Sequence, residues 1–102
     1  MNAQENTILF GIRGHCKSSI PRMVALQQAA DRNGWDIVHI EANQTDAIVL
    51  FDRGRSPFGP EKRYGTSEFH FPAGYFGQGH YDLSFDQARV DFRDRCNRTF
   101  PV

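Results

Sequence analysis

Gly74-Tyr75-Phe76-Gly77-Gln78-Gly79-His80-Tyr81, running through Asp82 and Leu83 into Ser84-Phe85-Asp86-Gln87, is the stretch on which the fold turns. Its second half has one reading. Ser84 and Gln87 stand in the S-x-x-Q relation of a capping box, so the hydroxyl of Ser84 can accept from the amide of Gln87 while the Gln87 side chain reaches back to the amide of Ser84. A helix therefore starts after Ser84. Phe85, Ala88, Phe92 and Cys96 fall within an arc of roughly 80° at 100° per residue, which predicts a core-facing stripe. Val90 is the one apolar residue of this helix outside the stripe. Asp91 with Arg95, and Asp94 with Arg98, are spaced to pair weakly on its wet face. The first half interleaves glycines with Tyr75, Phe76 and Tyr81, and reads as an aromatic turn that feeds the helix and presents its rings as a hinge or contact surface.

Upstream, Tyr64 to Phe71 has the aromatic and β-branched content of a strand, ended by Pro72. Arg53 to Arg63 is a breaker-rich loop. Asp46 to Asp52 (DAIVLFD) holds five consecutive apolar residues, the mark of a central strand covered on both faces. Trp35 to Glu41 reads as another strand. Ser19 opens a helix with Pro21 in its first turn. That helix carries Ile20, Met23, Val24, Leu26, Ala29 and Ala30, and Asn33-Gly34 stops it. Thr7 to Ile12 reads as a buried strand, and residues 1–6 as a flexible tail. The order β-α-β-β-β-α predicts a single α+β domain over residues 7–102, with two helices packed on a mostly antiparallel sheet. If its first two strands lie parallel, their connection is right-handed.

Composition narrows the function classes. The chain has 102 residues, 39% of them apolar with nine Phe, enough for one core. Twelve basic residues balance twelve acidic ones, so no broad attraction to nucleic acid or anionic lipid is expected. No apolar run approaches the length of a membrane span, and the polar residues 1–7 do not resemble a secretory signal. The expected localisation is cytoplasmic, where Cys16 and Cys96 behave as small hydrophobes. For the same reason the sequons at Asn43 and Asn97 are discounted.

Three segments carry candidate chemistry. The loop before the first helix holds His15, Cys16, Lys17, Ser18, Ser19 and Arg22, which is H-C-x5-R, the spacing of cysteine-dependent phosphatases. There, loop amides and a helix N-terminus bind the phosphate, the Arg clamps two oxygens, and both help hold the Cys as thiolate. Ser19 stands where that loop usually has glycine, Pro21 removes an amide donor, and no general-acid Asp is identifiable. Anion binding or phosphatase-like catalysis at this loop is the alternative reading, and a plain connection the leading one. A Walker A loop is excluded because the Gly-Lys-Ser/Thr triplet is missing. His15, His39, His70 and His80 show no metal-ligand spacing with one another or with either Cys, and no cofactor is expected.

The second candidate is the aromatic segment, whose Tyr75, Phe76, His80 and Tyr81 are the expected partner-binding set, since exposed aromatic side chains dominate contact hot spots; the competing reading folds Phe76 and Tyr81 back onto the last helix as core. The third is Arg53, Arg55, Lys62 and Arg63, four positive side chains on one loop that can serve as an auxiliary contact or touch a phosphate backbone, although with Asp52 and Glu61 adjacent simple solvation is the leading reading.

Tyr64-Gly65-Thr66 followed by an aromatic strand, then Gly79-His80-Tyr81-Asp82-Leu83 and a helix with Ala88, Asp91, Phe92 and Arg95, is similar to a pattern in small accessory proteins of bacterial phages, plasmids and related mobile elements. The resemblance implies a mobile-element origin and transfers no catalytic residue. With no assembled catalytic set in the sequence, the expected function is non-enzymatic docking on a protein partner or on a second copy of the chain.

Overall fold

The computed structural model describes residues 19–101. The expected strand Thr7 to Ile12 and the His15–Ser18 part of the anion loop lie outside them. The elements run α1 (Ser19–Asn33), β1 (Asp36–Ala42), β2 (Asp46–Asp52), a short 3-10 turn (Pro60–Lys62), β3 (Tyr64–His70), β4 (Tyr75–Leu83) and α2 (Phe85–Thr99). The four described strands form one antiparallel sheet in the order β1-β2-β3-β4. The α+β class is as expected.

Local chemistry sets the element ends. Gly34 takes the left-handed conformation (φ 73°) that glycine enters without strain. Its amide donates to the Asp31 carbonyl and that of Trp35 to Ala30, closing α1 with two bonds that satisfy two of its last carbonyls. The chain leaves with the Trp35 ring already turned into the core. Asn43 Oδ1 accepts from the amides of Thr45 and Asp46 at 2.9 and 2.8 Å, which folds the β1–β2 turn. At α2 both arms of the capping box are present.

The helices cover opposite faces of the sheet, and β2 shows why. Ala47, Val49 and Phe51 join a cluster with Met23, Leu26, Ala29 and Ala30 of α1, together with Trp35, Ile40 and Phe69. The alternate residues Ile48 and Leu50 join Ala88, Phe92, Cys96 and Phe100 on the other side. A continuous apolar run is what a strand buried on both faces requires. On the α1 side, Trp35 stacks flat on Phe51 with ring centroids 3.8 Å apart.

Two expectations are corrected. The aromatic segment is not a turn. Residues 75–83 form the longest of the described strands, and the reversal is made by Phe71–Gly74 instead. The glycines that suggested a turn sit in a strand with two irregularities. Between pairs Ser67↔Gly79 and Phe69↔Phe76, and again between Tyr64↔Leu83 and Thr66↔His80, β4 has one residue more than β3. These are bulges, the second with Asp82 at φ 60°. The stripe on α2 is also shifted. Phe85 is largely exposed, while Arg95 is buried among Ala88, Phe92 and Cys96, so Asp91 and Arg95 are not a solvated surface pair.

Candidate functional site

Strand periodicity decides where the expected partner-binding residues go. The register puts Thr66 opposite Leu50 and His80 opposite Thr66, so His80 stands on the α2 face. Tyr75, opposite His70, points the same way. Phe76 and Tyr81 point to the α1 face. Phe76 is half-buried against Trp35 and Phe69 at 4.8 and 4.9 Å, and the Tyr81 ring lies 5.9 Å from Phe51. The four residues therefore form no single patch. Tyr75 is 64% exposed, and Phe76 serves the core.

Around His80 a polar network converges on one carboxylate oxygen. Asp91 Oδ2 accepts from the Thr66 hydroxyl, lies 2.9 Å from His80 Nδ1, and accepts from Arg95 Nε at 3.3 Å. Arg95 NH1 approaches Glu68 Oε2 at 3.8 Å. Thr66 is fully buried and Arg95 is 5% exposed. Burial of Asp91 opposes its ionised form. The bonds from Thr66, His80 and Arg95, with the charge of His80, outweigh it and hold the carboxyl below its ordinary value of 3.8. A carboxylate with a depressed folded value contributes stability that is complete above the unfolded value and lost as pH falls through the folded one. Asp46 has the same sense: burial acts against ionisation, and bonds from His70 and Thr45 win. The stability gap between wild type and Asp91→Asn is thus expected to be widest at neutral pH and to narrow as pH falls below about 4, read by urea unfolding at a series of pH values. A constant gap down to pH 2 would contradict a depressed Asp91.

The network borders a groove of about 490 Å³ between β4 and the outer side of α2, lined by His80, Leu83, Asp86, Gln87, Val90, Asp91 and Asp94. Asp86, Val90 and Asp94 follow at one-turn intervals. They place an apolar side chain, 61% exposed, between two carboxylates. Chemically, His80 held by Asp91 is an acid–base pair. The nearby hydroxyls and thiol are otherwise engaged: Thr66 donates to Asp91, Ser84 accepts from the Gln87 amide, and the Cys96 thiol is buried. Among the described residues no cluster of three His, Cys, Asp or Glu side chains could hold a metal ion.

Two of the four basic side chains of the loop are paired with carboxylates. Arg63 Nε lies 3.0 Å from both oxygens of Asp52, and Arg53 NH1 is 3.2 Å from Asp82 Oδ1, which also accepts from Ser56 at 2.8 Å. Lys62 donates to Gln87 at 3.1 Å. These bonds fasten the loop to the Asp82 bulge and the start of α2, leaving Arg55 and the 69% exposed Phe58 outward. Of the alternative anion-binding set, Arg22 is described. It belongs to α1, and its guanidinium carbon lies 5.6 Å from the Phe71 ring centroid. Ser19 is the first residue of α1.

No helix among the described residues is long and apolar enough to cross a membrane. A scan against protein-family models, a search of curated proteins and a search of solved structures found no match to this chain.

Proposed function

We propose that this chain is a non-enzymatic accessory protein, of the mobile-element kind its C-terminal segment resembles, that acts by docking on a protein partner through the β4–α2 groove. The supporting observation is the composition of that groove: exposed Val90 and half-buried Leu83 flanked by Asp86 and Asp94, with His80 on the rim. An apolar floor between carboxylates is complementary to an amphipathic basic segment, which would set aliphatic side chains on Val90 and Lys or Arg ends on the two acids. The pinned β2–β3 loop adds Phe58 as a ring beyond the groove.

The test uses a fluorescein-labelled amphipathic Lys/Leu peptide, with its Glu/Leu counterpart as control, and reads anisotropy. The basic peptide is expected to bind with a Kd on the order of 10 μM. Asp94→Lys and Val90→Ser should each weaken it by about tenfold. Equal binding of both peptides, or indifference to both substitutions, would remove the groove from consideration. A dimer in sedimentation that Val90→Ser dissociates would mean that a second copy, not a separate partner, fills it.

A further inference from the structure

A second and smaller cavity lies on the same face of the sheet at its opposite side, where β1 meets the first half of α2. Among the described residues it is lined by Val38, His39 and Glu41 of β1, Leu50 of β2, and Phe85, Arg89, Phe92 and Arg93 of α2, with a volume of about 220 Å³. A bulge creates it. The register of β1 on β2 slips between Ile37 and His39, so Val38 and His39 both border a space that a regular strand would give to only one of them. Leu50 and Phe92 form an apolar floor, and the His39 ring meets Phe92 edge-on at 5.0 Å. Arg89 and Arg93, one helical turn apart, bring two guanidinium groups to one wall. Arg89 is only loosely held, 3.8 Å from the almost fully exposed Asp86.

We propose that this cavity is a binding site for a small organic monoanion: a carboxylate carrying a single ring or a short aliphatic body. The volume equals that of about seven liquid waters, which suits a one-ring molecule and not a nucleotide. A planar carboxylate matches the guanidinium fork in a way that a spherical ion does not. The apolar body replaces water over Leu50, Phe85 and Phe92. Glu41 on the β1 wall sets the charge limit. It repels a second negative group, which favours monoanions over dianions.

The experiment is an amide NMR titration of the full chain with phenylacetate, benzyl alcohol, benzylamine and inorganic phosphate, each taken to about 10 mM. Phenylacetate is expected to shift the amides of Val38, His39, Leu50 and Phe92 saturably, with a Kd on the order of 1 mM, leaving those of His80 and Val90 in place. Benzyl alcohol and benzylamine should bind at least about tenfold more weakly. Arg89→Gln and Arg93→Gln should each cost about fivefold to tenfold, and Val38→Phe, a surface change that fills the cavity mouth, should abolish the shifts. Absent or non-saturating shifts, binding as tight for the alcohol or amine, equal binding of phosphate, or insensitivity to both arginine substitutions would each overturn the proposal. The basic-peptide experiment reads a different face of α2, so the two readings fail separately.

Discussion

Gly65→Ala is expected to destabilise the protein by about 3 kcal/mol, at the upper end of what overpacking a core costs. A Cβ at this position of β3 would stand 2.6 Å from the His80 carbonyl oxygen and 2.6 Å from Cζ of Phe51. Neither neighbour can give way easily. The carbonyl belongs to the adjoining strand, and the Phe51 ring is clamped between this backbone and the parallel face of Trp35. Gly77 is the matched control, because there the atoms nearest the added carbon are those of the flexible Glu68 side chain, at 3.2 Å. Its alanine variant should stay within about 0.5 kcal/mol of wild type. Urea unfolding of the two variants measures both. Similar midpoints for Gly65→Ala and wild type would mean that Phe51 does not lie under β3 as described.

The second large effect is an asymmetry within the polar network. Asp91→Ala should cost about 3 kcal/mol, since it strands the buried Arg95 without its nearest counter-charge and takes the acceptor from the buried Thr66 hydroxyl. Arg95→Leu leaves Asp91 with Thr66 and His80, and puts an apolar side chain among Ala88, Phe92 and Cys96. Its cost should be about 1 kcal/mol or less. The double variant should cost about 1 kcal/mol more than Arg95→Leu alone, because the Thr66 hydroxyl still loses its acceptor, giving a coupling of about 2 kcal/mol in the thermodynamic cycle. Equal losses in the two single variants, with additive behaviour in the double, would show that Asp91 is not the ion that makes Arg95 tolerable in the interior.

The elements legible in the sequence are those fixed by local physics. The Ser84 cap, the Asn33-Gly34 stop and the uninterrupted apolar run of β2 each state their structure within a few residues, and their bounds are met or missed by one position. β4 was not legible because two bulges erase the alternation that marks a strand, and its three interior and flanking glycines imitate a turn. That misreading carried into the site. A turn could have grouped Tyr75, Phe76, His80 and Tyr81 on one surface, whereas a strand deals them to two faces. Arg95 was misplaced because its burial depends on a network with Thr66 and Glu68, 29 and 27 positions earlier in the numbering. The groove did leave a trace. Val90 is the apolar residue off the stripe, and carboxylates stand four positions to either side of it. The β1 cavity left none, since it depends on a bulge at Val38 that alternation alone does not announce.

That the helices cover opposite faces gives each half of the interior its own reporter. The chain's single tryptophan lies in the α1-side layer, pressed against Phe51, and its emission will follow that layer alone. Cys96 lies in the α2-side layer, where a thiol-reactive dye reaches it only when that helix lifts. In a Cys16→Ser background, light and labelling therefore time the two halves separately. Coincident transitions would mark one cooperative unit, and an early labelling step would mark the C-terminal helix as the first part to let go.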